Sequence, residues 1–379
     1  MQKNIAIVGG GVAGITTAYF LCKKGHKVTV YDPNGIANQA SYANGGQISV
    51  CNAETWNTYS NILKGIKWLT QKDAPLAFRP DHWSWDKVKW VAGFIGATLN
   101  NSYDINTRKT IEVSLRSREL MQQFIQDTGI DFHQKDSGIL HLYKSQKSWI
   151  KAKKTLDRFK DTEWGRYEHK EDLTSKYNIV QDNVIGATYT PQDSVGDIHT
   201  FCLEVSTYLE NNFNFKFVNK TVDSLKLKKF RKAYHEVVVC AGAYTSKLVP
   251  KLNIYPIKGY SITYLDCTNA PTVSLLDDDK KIVASTFSNN TFRVAGTAEL
   301  AGWNHKIRMD RVQPLVNWTK DNTFVDSNDY LKWACLRPMT PNMLPIIDKI
   351  DGYWINSGAG HLGWTMGMAL AEKLTNRID

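Results

Sequence analysis

Asn4-Ile5-Ala6-Ile7-Val8-Gly9-Gly10-Gly11-Val12-Ala13-Gly14 is the stretch whose reading decides the fold. Ile5 to Val8 is an apolar run of strand length, and glycines follow it at once. Ile15, Ala18, Tyr19 and Cys22 then recur on one helical face, and Gly25 ends the helix. Val28-Thr29-Val30-Tyr31 is a second strand with Asp32 at its end. Strand, G-x-G-x-x-G, helix, strand and acid come in the order of a dinucleotide-binding βαβ unit. Gly9 permits the tight turn, Gly11 lets the backbone approach a pyrophosphate, and Gly14 brings helix and sheet together. The first helical turn, with Val12 and Ala13, offers N–H groups and a positive dipole end to phosphate. Asp32 is placed to accept hydrogen bonds from a ribose, and its carboxylate repels a 2′-phosphate.

A chain of 379 residues exceeds the usual single core, so two domains are expected. No apolar run reaches the roughly 18 residues that span a bilayer. Strand one begins so early that a secretory leader is not expected. Cys22, Cys51, Cys202, Cys240, Cys267 and Cys335 are scattered without a C-x-x-C pair. That fits a reducing cytoplasm, and neither a disulfide framework nor a metal site is expected. The net charge of +10 could attract nucleic acid, anionic lipid or acidic metabolites. Its densest cluster, Lys226, Lys228, Lys229, Arg231 and Lys232, lies between two strand-like runs and reads as a solvated hairpin.

Further along, Ser41 to Ile48 is small and polar, suited either to lying against a ligand or to an ordinary surface loop. Trp56, Trp68, Trp83, Trp85 and Trp90 are interleaved with Lys64, Lys67, Lys72, Lys87 and Lys89. This pattern fits a peripheral membrane contact or a Trp-rich domain interface. Ile111 to Ile125 carries a helical stripe closed by Gly129, and Phe132 to Tyr143 reads as a hairpin turning near Gly138. A turn at Asp193–Asp197 precedes a helix from about His199 to Glu210. Phe213–Val218 and Val237–Cys240 read as buried strands, the second running into Ala241-Gly242-Ala243, where a nucleotide could come close. Tyr255–Leu265 and Phe292–Ala298 alternate as antiparallel strands do. Trp354-Ile355-Asn356 is a strand, and a helix from Trp364 closes the chain.

These segments carry a family resemblance. Its blocks are the fingerprint from Gly9 to Asp32, Ser41-Tyr42-Ala43-Asn44-Gly45-Gly46-Gln47-Ile48-Ser49, Gly65-Ile66-Lys67-Trp68-Leu69 and Ala74-Pro75-Leu76-Ala77. Tyr255-Pro256-Ile257-Lys258-Gly259-Tyr260-Ser261, Leu336-Arg337-Pro338-Met339-Thr340-Pro341 and Asn356 to Met366 complete them. In this order they resemble the D-amino acid oxidase superfamily of FAD-dependent oxidoreductases, and within it the bacterial D-amino acid dehydrogenase (small subunit) family. The resemblance implies an α/β fold in which a Rossmann-type FAD-binding domain is interleaved with an antiparallel-sheet α+β substrate domain. The expected FAD-binding parts are 1–85, 197–250 and 331–379, and the expected substrate-binding parts are 86–196 and 251–330.

The resemblance also implies roles. The loop with Ser41, Asn44, Gly45, Gly46, Gln47 and Ile48 would pass over the pyrophosphate and flavin, and Val222 would lie near the adenine. Ala241 and Gly242 would approach the nucleotide. Gly358, Gly360, His361, Leu362, Gly363 and Thr365 would face the flavin pyrimidine, where a helix N-terminus stabilises negative charge. Arg337 matches the family arginine that grips the substrate carboxylate; the competing reading is a salt bridge. Tyr260 either closes the pocket near the substrate or packs in the core. The chain departs from the family where Gly358-Ala359-Gly360-His361 replaces the usual Gly-His-Gly-Thr, so no histidine role carries over. Asn342-Met343 also replaces the usual Asp-Gly.

The implied reaction is oxidative deamination of D-amino acids to 2-oxo acids and ammonia. The α-hydrogen would pass as hydride to flavin N5, and electrons onward to a quinone or similar acceptor. The implied location is the cytoplasm or the inner face of a bacterial membrane. An oxygen-using glycine, sarcosine or proline-type oxidase of the same fold is the competing enzyme, distinguished by hydrogen peroxide. A nucleic-acid-acting protein and a catalytically silent FAD binder compete from other classes, but nothing resembles an RNA-reading motif and no nucleic-acid partner is expected.

Overall fold

The computed structural model describes residues 1–68, 75–78, 83–156 and 165–378. Leu69, Lys72 and Ala74 of the sequence blocks lie outside them. The first sheet has six strands in the order Ile346–Ile350, Tyr353–Ser357, Glu236–Val239, Asn4–Val8, Lys27–Tyr31 and Phe215–Val218. All pairs are parallel except the edge pair Ile346–Ile350 and Tyr353–Ser357. Alternation along Asn4–Val8 supplies both faces: Ile5 and Ile7 join one core, Ala6 and Val8 another. Helices Val12–Lys23 and Ile198–Asn212 pack on the first core with the closing helix Gly363–Ile378. A sheet buried on both faces explains why its strands read as continuous apolar runs.

The basic cluster is not a hairpin. Ser224–Ala233 is a helix whose Asp223 side chain accepts the Lys226 N–H, while Leu227 and Phe230 are buried beneath it. Its flanking strands are not neighbours: Phe215–Val218 pairs with Lys27–Tyr31, and Glu236–Val239 with Asn4–Val8. A parallel crossover needs such a helix, and its lysines take the solvent side.

The second sheet has nine strands, with Leu331–Met339, Tyr255–Tyr264, Phe292–Leu300, Ile282–Thr286, Ser274–Asp277, Ile139–Tyr143, Gly186–Thr190 and Tyr167–His169 in order. Leu76–Phe78 pairs with Phe292–Leu300. Tyr255–Tyr264 and Phe292–Leu300 are antiparallel neighbours, as their patterning indicates. The first of them is buried along its whole length, because helix Met309–Asn322 covers one face and the loop carrying Ala43 the other. The expected hairpin at Phe132–Tyr143 does not form. Lys135 exchanges backbone hydrogen bonds with Val195, while Ile139–Tyr143 runs parallel to Ser274–Asp277. Gly138, at φ +67° beneath the Tyr189 ring, turns a corner instead of folding the chain back.

Two further segments join these sheets. Leu331–Met339 pairs in the second sheet beside Tyr255–Tyr264. The long helix Tyr103–Thr128, capped by Gly129 at φ 65°, packs Leu120, Met121 and Phe124 into the core of the first sheet. The tryptophans divide as well. Trp90 is buried and donates its indole N–H to Met339 O at 2.8 Å, whereas Trp83 and Trp85 are exposed. Among the described residues no helix is long and apolar enough to cross a membrane.

Candidate active site

The glycine loop is built by contact. Gly9 has φ +113°, and a β-carbon there would come within 2.3 Å of Cys240 O. One on Gly14 would come within 1.9 Å of Gly9 O, so only glycine lets the helix meet the strand so closely. Asp32 Oδ2 accepts the Gly10 N–H at 2.9 Å, and Oδ1 accepts the Asn34 N–H at 2.9 Å. Burial raises its pKa, and those two amides oppose the rise. The Val12 N–H donates to Ser41 Oγ at 3.1 Å, tying the next loop to the helix start.

That next loop is no ordinary surface loop, because the second sheet holds it. Ser261 Oγ donates to Ala43 O at 2.7 Å, Ser285 Oγ to Gly45 O at 2.6 Å, and Gln47 Nε2 to Leu275 O at 3.0 Å. A β-carbon on Gly45 would come within 2.4 Å of Val283 Cγ2. Ile48 faces away, into the core of the first sheet. Ser49 Oγ and the Val50 N–H then donate to the buried Asp193 carboxylate at 2.8 and 2.9 Å. Asp193 carried no expected role.

At the other end Arg337 stands opposite Ile257 across the strand pair. Its guanidinium has no hydrogen bond or ion pair among the described residues. Protein surrounds it, burial lowers its pKa, and the area it exposes opens on a cavity. Tyr260 borders the same cavity, but its hydroxyl donates to Glu299 Oε2 at 2.7 Å. Glu299 is also 3.2 Å from Lys258 Nζ, with both groups buried. The tyrosine hydroxyl is thus committed to a buried carboxylate rather than turned to the pocket, and burial followed by Glu299 pushes its pKa up.

His361 lies in the turn before the closing helix, its ring stacked on Trp56 at 4.4 Å and 22°. Burial, with Arg337 nearby, pushes its pKa down to about 3. The Trp56 partner was not legible as a site residue. One cavity of about 1480 Å³ joins these parts. Gly9, Gly11, Val12, Ala13, Asp32, Ser41, Asn44, Gly45, Gly46 and Gln47 line it. So do Val222, Ala241, Gly242, Tyr260, Arg337, Gly358, Gly360, His361, Leu362, Gly363 and Thr365. Of the expected residues only Gly14 and Ile48 do not. Pockets for drug-sized ligands hold roughly 300–1,000 Å³, so this one has room for a dinucleotide and a small second ligand.

A model of the family described as FAD dependent oxidoreductase matches residues 4–377. The chain belongs to this family. As an FAD-dependent oxidoreductase it is 36% identical to D-amino acid dehydrogenase 3 of Mesorhizobium japonicum, over 100% of this chain and 97% of that one. It is 32% identical to D-amino acid dehydrogenase of Paramagnetospirillum magneticum, over 99% and 95%. Among solved structures, glycine oxidase from Bacillus cereus superposes with a TM-score of 0.71 at 15% identity, covering 100% of this chain and 95% of that one. L-proline dehydrogenase from P. horikoshii gives 0.67 at 14%, covering 100% and 93%.

FAD is the cofactor of this oxidoreductase, and the residues fit it. The close glycine turn and first helical turn suit a pyrophosphate, and Asp32 suits a ribose. Gly358 at φ +81° and Gly360 at φ +59° bend the chain so that the closing helix begins at the cavity wall. A helix start there would favour negative charge on a flavin ring bound against it.

Proposed function

We propose that the chain oxidises amino acids, D-amino acids foremost, to 2-oxo acids and ammonia, and passes the electrons to a quinone or similar acceptor. The observation that carries this reading is Arg337, a surrounded guanidinium with no anionic partner among the described residues, on the wall of the cofactor cavity. Burying a cation unpaired is costly, and a substrate carboxylate removes that cost. The guanidinium fork grips a carboxylate through two parallel bonds and fixes which face of the α-carbon is presented. FAD, when bound, supplies the ring that accepts the α-hydrogen as hydride.

The protein's own part is positioning. His361 is held neutral and Tyr260 is tied to Glu299, so neither is poised to take a proton. That fits a substrate entering as the neutral amine. The D-preference and the dehydrogenase type rest on the names of the relatives. We assign the glycine-loop sheet and its helices to the cofactor and the large sheet to the substrate. A peripheral membrane contact would use helix Tyr59–Trp68, which buries none of its side chains and exposes Leu63 and Ile66.

The test is a panel of D- and L-amino acids supplied to the purified yellow protein with an acceptor dye, and separately with air. Dye reduction by D-amino acids, with little hydrogen peroxide in air, is the expected result. Turnover that makes peroxide without dye would replace the dehydrogenase reading by an oxidase. No turnover of any amino acid would overturn the reading itself.

A further inference from the structure

The family pattern places His361 in the flavin-facing turn but gives its imidazole no role, and the setting of that ring is specific. The ring is stacked on Trp56 and lines the cavity. Nδ1 is buried and has no hydrogen-bond partner. Nε2 has no partner among the described residues either, and it lies on the side open to the cavity. A neutral imidazole carries one N–H. Orphaned buried donors are rarer than under-used acceptors, so the proton belongs on Nε2, where a ligand can receive it. A backbone bridge between Met339 and Ala359 sets the end of the Arg337 strand beside the His361 turn, and both side chains line the same cavity. A charged donor and a neutral donor thus stand near one another, each without an acceptor.

We propose that His361 is a substrate-binding residue whose Nε2–H donates to the carboxylate held by Arg337. The proposal rests on the reading of Arg337 given above. A neutral donor adds a hydrogen bond without placing a second cation beside the guanidinium. The ring is not a general base: at about 3 its pKa lies far below that of an ammonium group. Trp56 would act through the stack, holding the plane of the imidazole.

The experiment uses the FAD-loaded full chain and pyruvate as an unreactive carboxylate, with binding read from the flavin absorption spectrum. His361→Phe keeps an aromatic ring on Trp56 and deletes both nitrogens; His361→Asn retains a donor. The phenylalanine variant should weaken pyruvate binding and raise the amino-acid KM about ten- to a hundredfold, the effect of one hydrogen bond to a charged group. Its kcat should change much less. FAD content, the ligand-free spectrum and the shape of the kcat/KM pH profile should stay as in the parent, and asparagine should recover part of the loss. Should the phenylalanine variant not fold, His361→Ala carries the same comparisons.

Equal pyruvate binding by parent and phenylalanine variant would overturn the proposal. So would loss of FAD or a shifted ligand-free spectrum, which would assign the ring to the cofactor, or a vanished limb of the pH profile, which would make it a base. If the parent binds pyruvate and Arg337→Ala does not, yet His361→Phe binds normally, only the present proposal falls. If the parent binds none, the reading of Arg337 falls and takes this one with it.

Discussion

Arg337 lies across the bare face of Gly259: a β-carbon on that glycine would come within 2.4 Å of the guanidinium Nη2. The atoms it would meet belong to the free end of a long side chain, so the arginine would move before the strand did. Gly259→Ala should therefore leave the fold and FAD retention intact while displacing the guanidinium. A misplaced binding group costs about a hundredfold, so kcat/KM should fall by a factor of that order. Steady-state kinetics beside a thermal melt checks this, and unchanged kinetics would separate Gly259 from the site.

Tyr260 supports a buried carboxylate. In Tyr260→Phe, Glu299 loses one donor while Lys258 stays beside it. Stability should drop by about 1–3 kcal/mol, the cost of an under-satisfied buried group. Urea denaturation measures that loss, and kcat/KM should stay within about threefold if the hydroxyl does not reach substrate.

The nucleotide half of the fold was legible because local rules decide it. Gly9 and Gly14 have no alternative where a β-carbon meets backbone, and strand and helix periods flank them. Arg337 was legible only through resemblance, since no spacing says that an arginine 305 residues after Asp32 returns to the same cavity. The misread segments were decided by tertiary pairing. Gly138 looked like a hairpin turn, but the partners of Ile139–Tyr143 are Gly186–Thr190 and Ser274–Asp277, both far along the chain. The lysines of Ser224–Ala233 hid the two buried residues, Leu227 and Phe230, that make it a helix. Trp56 gave no signal because its partner, His361, is remote in sequence.

Acid should destabilise the cofactor-free chain through its buried histidines. Burial lowers the pKa of His141 well below the ordinary value and that of His361 to about 3. Between about 3 and the ordinary value near 6.5 the unfolded chain therefore binds more protons, and stability rises with pH. That contribution is present above about 6.5 and is lost on acidification. Melting temperatures taken from pH 8 to 5 should fall below about 6.5, and less steeply in His361→Phe. Parallel curves for parent and variant would contradict this.

The membrane contact proposed for helix Tyr59–Trp68 rests on its exposed apolar side chains, Leu63 foremost. The parent should sediment with anionic phospholipid vesicles at low salt, and a Leu63→Asp variant should remain in the supernatant. Activity with a soluble dye should be the same in both. Equal sedimentation would remove this helix from the contact.

The central claim is that Arg337 holds the carboxylate of an amino acid beside FAD, and Arg337→Ala in the FAD-loaded protein tests it most directly. Breaking a buried ion pair by removing one partner costs about 3–5 kcal/mol, so kcat/KM for the best D-amino acid should fall by roughly 10²–10³ or more. The protein should stay yellow. A variant that retains its FAD and a normal kcat/KM would contradict the account.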